Sequence, residues 1–236
     1  MVRYNGFTTS PEDRAELLKT ALAGVAMLQS LIAERRAAHS PGDDFIGVLL
    51  EAQDGDDRLN DWEVLGIVAA MLAAGSDTAS DMHPSLIYAL LDNPDQYEKL
   101  KQDPSLVDNA IVEALRYEAF GKTGLHRYAL EDVEFEGITV KRGEQIIIAG
   151  QAAGLDPTQW DNPQEFDITR DLNGNIVFGT GAHVCAGLFL AKSQAKLMLL
   201  EFMKRFPNAT LQEMPTRDPD HYNARHVTKL LVKTNI

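Results

Sequence analysis

Residues 178–187 read Phe178-Gly179-Thr180-Gly181-Ala182-His183-Val184-Cys185-Ala186-Gly187 and hold the only cysteine of the 236-residue chain. By itself, a cysteine at a helix start is more often a small buried hydrophobe than a ligand. Its surroundings point elsewhere. The apolar pattern that follows predicts a helix from about Ala186 to Arg205, ending before Pro207. Free backbone N–H groups at that helix start would stabilise a thiolate. Gly179, Gly181 and Gly187 let the backbone turn tightly and approach a flat ligand closely. Ile176-Val177-Phe178 ahead of Gly179-x-Gly181 also looks like a strand entering a dinucleotide-binding turn. Val184 stands where the third glycine would belong, however, and no strand with a terminal acid follows the helix.

Around this stretch, the chain has the composition of a soluble globular protein, 44% hydrophobic and 24% charged. Its length suits one domain or at most two and can bury a sizeable core, and residues 1–236 are expected to form a single unit. The net charge of -13 argues against nucleic acid and anionic membranes as partners. One cysteine permits no intrachain disulfide, as suits a reducing cytoplasm. Met1 to Leu17 lacks the apolar core of a signal peptide. The longest apolar run, around Val64 to Ala74, is shorter than the ~20 residues that span a bilayer. A cytoplasmic protein is expected.

Ser10-Pro11-Glu12-Asp13 reads as a helix N-terminus, with Leu18, Leu22, Val25, Leu28 and Ile32 at helical spacing behind it. Arg35 and Arg36 suit its C-terminus, and Ser40-Pro41-Gly42 stops it. A short helix over Phe45 to Leu50 runs into a polar loop, Asp54 to Arg58. Asn60 and Glu63 form a capping box for a long apolar helix that passes Gly75 and must kink or restart at Pro84. Asn93-Pro94 and Asp103-Pro104 open two more helices, the second holding Ile111, Leu115 and Arg116. From Thr123 to about Ala149, apolar residues alternate or cluster around turns at Glu136-Gly137 and Arg142-Gly143, the pattern of short antiparallel strands. The fold class is mainly α with a small antiparallel β component.

Three further groups carry chemistry. In Ala74-Gly75-Ser76-Asp77-Thr78, mid-helix, the Thr78 hydroxyl can bond the carbonyl of Ala74 and open the helix, eased by Gly75. Taken alone, these five residues are more often a plain helix segment with a polar edge. Glu113 and Arg116 stand at i, i+3, a spacing that is commonly just a solvated contact. Arg127 has the bidentate fork that suits a carboxylate, and equally reads as a strand-edge arginine.

In this order the motifs resemble those of the cytochromes P450 of bacterial, soluble type. Phe178, Gly181, Cys185 and Gly187 lie on the family's F-x-x-G-x-x-x-C-x-G loop, Glu113 and Arg116 on its E-x-x-R pair, and Asp77 and Thr78 on its acid–alcohol pair. The resemblance runs from about Leu17 to the C-terminus and covers the C-terminal part of the fold only. It implies heme b (iron protoporphyrin IX) with Cys185 as axial ligand, donating electron density to the iron. It also implies His183 and Arg127 at the propionates, and Glu113 with Arg116 as a buried structural pair behind the loop. Ala74, Gly75, Asp77 and Thr78 would make room for dioxygen and relay protons to it. Ala79 and Pro84 depart from the family pattern. So does Glu165, in Pro163-Gln164-Glu165-Phe166, which stands where the family often has an arginine, so the network is altered or uses another base such as Arg170.

The implied activity is monooxygenation of a small organic substrate, fed by a ferredoxin or flavodoxin. The N-terminal half of the family fold has no counterpart in the chain. The alternative is therefore a truncated or degenerate heme-binding protein or partner subunit, covered by self-association or by a complementary chain.

Overall fold

Ser10 caps the first helix, accepting from the Asp13 amide at 3.0 Å and donating to its carboxylate at 2.8 Å. That contact begins the computed structural model, which describes residues 10–38, 42–54, 57–118, 124–219 and 225–235. Seven α-helices occur among the described residues: α1 Pro11–Ala38, α2 Phe45–Glu51, α3 Asp61–Asp92, α4 Pro94–Gln102, α5 Val107–Tyr117, α6 Gly150–Gly154 and α7 Leu188–Arg205. Ten short strands pair two by two, all antiparallel. The chain divides into two compact units, Met1–Asp77 and Thr78–Ile236, and the boundary falls inside α3.

In the first unit, only the C-terminal half of α1 meets a core. Leu28 and Ile32 are buried with Leu50 of α2 and Val64, Leu65 and Val68 of α3, and Val25 is half-buried against them. Leu18 and Leu22, expected on the same buried face, are exposed because this small cluster does not reach that far. By length and composition α1 is apolar enough to cross a membrane, a test that core helices of soluble proteins also pass. Gly42 follows the Ser40-Pro41 stop, which lies outside the described residues. Asp44 caps α2 through the Gly47 amide at 3.0 Å and accepts two hydrogen bonds from Arg35. The polar loop at Asp54 to Arg58 forms a minimal hairpin, β1 Gln53–Asp54 against β2 Asp57–Arg58. Asn60 and Glu63 exchange the two bonds of the expected capping box, at 2.8 and 3.1 Å.

In the second unit, α3 runs unbroken through Pro84 to Asp92 instead of restarting. Proline removes one N–H and crowds the carbonyl four residues back, at a cost of ~3 kcal/mol. Met82, Leu86, Ala89 and Leu90 flank it in the main core, and each fully buried leucine contributes about 1.5–3 kcal/mol, so packing outweighs the breaker. Pro104 first makes a 3-10 turn over Pro104–Leu106, and α5 follows from Val107. Its Val107, Ala110, Ile111, Ala114 and Leu115 repeat at helical spacing and bury against Ala195, Leu199 and Met203 of α7. Lys196 of α7 ties to Asp108 of α5 at 2.7 Å.

The predicted strands form β3 Leu125–Tyr128 with β6 Gln145–Ile148, and β4 Val133–Phe135 with β5 Ile138–Val140. Glu136 and Gly137 both take positive φ, 49° and 77°, as a two-residue hairpin turn requires. Beyond α7, β7 Thr210–Leu211 pairs with β10 Val232–Lys233, and β8 Thr216–Arg217 with β9 Val227–Lys229.

Candidate functional site

The loop before α7 is built on Phe178, half-buried against the main core. Its carbonyl accepts from the Cys185 amide at 2.8 Å, closing the loop at its base. Between them the chain reverses through Gly179 at φ +74° and Gly181 at φ +63°. A Cβ at Gly179 would stand 3.0 Å from the His183 carbonyl oxygen, so only glycine fits there without displacement. A 3-10 turn over Gly181–His183 follows, and Gly187 is the N-cap of α7. The helix thus starts at Leu188, two residues later than expected, because the Leu188 amide turns back to the Cys185 carbonyl at 3.1 Å. The thiol of Cys185 is free and exposed rather than packed as a hydrophobe.

Arg116 of α5 is fully buried and spends its fork on several acceptors. Nε and Nη2 donate to the two oxygens of Glu113 at 2.7 and 2.8 Å. Nη1 donates to the carbonyls of Gly154 and Pro163, each at 2.7 Å, and Nη2 to that of Glu165 at 3.1 Å. The third partner is Arg170, whose Nε reaches Glu113 Oε1 at 3.1 Å. Its Nη1 and Nη2 hold the carbonyls of Asp161, Asn162 and Glu165. Glu165 therefore joins through its backbone, while Arg170 supplies the charge. Burial works to raise the nearby Asp167 carboxyl, but hydrogen bonds from Thr169 and the charges of Lys99 and Arg170 bring it below its usual range.

Ala74, Gly75, Asp77 and Thr78 lie on exposed turns of α3, which stays helical throughout. A Cβ at Gly75 would meet nothing within 4 Å. Arg127, on β3, is half-buried and donates to the His126 carbonyl at 2.9 Å; His183 is exposed on the cysteine loop. The structure thus brings together the loop residues around Cys185, and separately Glu113 with Arg116. No described hydrogen bond or ion pair joins these two sets to Arg127 or to α3.

Sequence reasoning missed a second buried polar group. His226, just before β9, pairs with Asp81 of α3, and Arg217 of β8 pairs with Glu118 at the end of α5. Partners so far apart in the chain leave no local spacing to recognise.

A family model for cytochrome P450 matches residues 11–234. The chain belongs to the cytochrome P450 family. It is 37% identical to cytochrome P450 107B1 of Saccharopolyspora erythraea over 207 residues, 88% of this chain and 50% of that one. It is 36% identical to 6-deoxyerythronolide B hydroxylase of the same organism over 202 residues, 85% of this chain and 49% of that one. The solved structure of CYP109E1 from Bacillus megaterium with testosterone superposes at TM-score 0.89 and 30% identity, over 95% of this chain and 62% of that one. P450BioI, solved with an acyl carrier protein ligated to hexadec-9Z-enoic acid, gives 0.86 at 32% identity, over 96% of this chain and 57% of that one. The P450 chain spans about half the length of the curated relatives it matches.

The family implies a heme, and the P450 loop fits one. Its single thiol is exposed, its amide is already bonded to Phe178, and a Cβ at Gly187 would stand 3.9 Å from the sulfur.

Proposed function

We propose that this chain carries the thiolate part of a heme-thiolate monooxygenase, with Cys185 as axial ligand of heme b. The observation that carries the reading is the exposed Cys185 thiol on a loop closed from the Phe178 carbonyl. When bound, the heme supplies dioxygen activation, favoured by electron density from the thiolate. The chain's own residues do the rest. Arg127 and His183 hold the propionates by charge-assisted hydrogen bonds. Asp77 and Thr78 hold and pass protons on the α3 side. The buried arginine cluster keeps the loop in place without touching the reacting atoms.

The substrate is a small organic molecule, and electrons come from a ferredoxin or flavodoxin docking by charge, so reduction should slow as salt rises. Phe189, Leu190 and Leu197 of α7 are 81%, 61% and 67% exposed. Large exposed apolar patches mark interfaces. With relatives twice as long, that exposure supports cover by a complementary chain or a second copy in the working enzyme.

Hemin titration of the purified chain tests the reading. One heme per chain with a thiolate-type ferrous–CO band is expected. No uptake, or a nitrogen-type band, would overturn it.

A further inference from the structure

The chain between Arg170 and Phe178 turns at Asn173-Gly174, where the Asn175 amide donates to the Leu172 carbonyl at 3.0 Å. Gly174 takes φ +84°, as a type II turn requires at its third residue. A Cβ there would also stand 3.1 Å from Nε2 of Gln159. The fold thus fixes a glycine directly after an asparagine, and both residues are exposed.

Asparagine is a labile residue because the backbone nitrogen that follows it can attack its side-chain amide. A side chain on that next residue is the main hindrance, and glycine has none. In most folded segments a hydrogen bond also keeps that nitrogen occupied. Here Asp171 Oδ1 accepts from the Asn173 amide at 3.0 Å, and Leu172 takes the Asn175 amide. Among the described residues no hydrogen bond engages the Gly174 amide or the Asn173 side chain. The other described asparagines are protected. Asn93 and Asn162 precede prolines, which have no backbone N–H. Asn109 donates its side-chain amide to the carbonyls of Ile168 and Arg170 at 2.8 and 3.0 Å. Asn60, Asn175, Asn208 and Asn235 precede Asp61, Ile176, Ala209 and Ile236, each with a side chain in the way. A second Asn-Gly pair, Asn5-Gly6, lies outside the described residues.

We propose that Asn173 is a site of spontaneous deamidation in the folded chain, leaving aspartate or isoaspartate in the turn that leads to the cysteine loop. The Gly174 nitrogen bonds to Cγ of Asn173 as the Cγ–Nδ2 bond breaks. Ammonia leaves with the proton that the Gly174 nitrogen gives up, and a succinimide closes. Water then opens the ring. Opening at Cγ restores the ordinary backbone with an aspartate side chain. Opening at the backbone carbonyl runs the chain through Cβ as isoaspartate, one atom longer. Nothing is oxidised or reduced. Either product adds a negative charge to a cleft of about 280 Å³ that Asp161, Asp171 and Arg170 already line. Isoaspartate also places an extra atom inside the Leu172–Asn175 turn, so the bond that closes it is the first to fail.

Peptide mapping of the purified chain, aged at mildly alkaline pH, tests the site. Conversion should concentrate at Asn173, at a rate within about threefold of that in the urea-unfolded chain, because no backbone bond must open first. Asn5 falls on a separate peptide. Conversion at Asn173 slowed by about tenfold or more in the folded chain would overturn the site. So would conversion that favours another described asparagine.

Hydrogen exchange reads the consequence. In the isoaspartate form the Asn175 amide should exchange about tenfold faster than in the parent. Asn173→Asp adds the charge without the extra atom and should leave that amide as in the parent. Parent-like exchange in the isoaspartate form would overturn the opening of the turn, and equal acceleration in Asn173→Asp would overturn the added atom as its cause.

Discussion

Glu113 accepts from two arginines, Arg116 three residues on in the same helix and Arg170 fifty-seven residues away, at 2.7–3.1 Å. The Glu113 and Arg116 side chains have no exposed surface, so the carboxylate neutralises charge that water does not reach. Removing it strands the Arg116 guanidinium in the core. Glu113→Ala should cost about 3–5 kcal/mol, as is usual when one partner of a buried pair is lost. Arg170→Ala should cost less, since that side chain is 11% exposed and Glu113 keeps Arg116. Urea denaturation of the three proteins checks the order.

Gly179 and Gly181 are not equivalent. Both have positive φ, but only at Gly179 would a Cβ meet a backbone oxygen, at 3.0 Å. Gly181→Ala should lose the ~1–2 kcal/mol of a left-handed L residue, and Gly179→Ala more, with displacement of the His183 carbonyl. Thermal denaturation gives the ranking, and the reaction rate of Cys185 with a thiol reagent shows whether the loop has moved.

Thr78 is expected to act in proton delivery and not in heme capture. Thr78→Ala should keep parental heme content while diverting most reducing equivalents to hydrogen peroxide, because a positioned proton donor is lost. Peroxide and product released per electron measure this. Parental product yield would remove the role.

Asp44 gives the first unit an acid-sensitive joint. Hydrogen bonds from Arg35, with help from the Gly47 amide, hold its carboxyl at about 2, below an ordinary 3.8. The folded value is the lower one, so its contribution is complete above about 3.8 and is lost as pH falls towards 2. Asp44→Asn should lower stability at neutral pH and converge with the parent towards pH 2, so that the acid limb between those values flattens. An unaltered acid limb would show that the pair does not persist in solution.

These predictions rest on features of unequal visibility in the sequence. The cysteine loop, the capping box at Asn60 and Glu63 and the turn at Glu136-Gly137 are local, and residue type alone carries their geometry. Arg170 was legible as a substitute base because Glu165 left a charge to be supplied. Its other acceptors, and those of Arg116, are backbone carbonyls, which every residue has and no sequence pattern marks. Pro84 allowed either a kink or a restart, and tertiary packing around Leu86 keeps the helix continuous. The periodicity of α1 was right for a helix, but it cannot say how far the covering cluster extends, and Leu18 and Leu22 lie beyond it. The Asp81–His226 pair, 145 residues apart, has no local signal at all.

The central claim is that Cys185 binds heme iron through its sulfur, and the ferrous–CO difference spectrum of Cys185→Ser against the parent, at matched heme content, tests it most directly. A thiolate ligand donates electron density that an alcohol cannot match. The parent should show the thiolate-type band and the variant should lose it entirely. A band that survives the substitution would place the iron's ligand elsewhere and contradict the account.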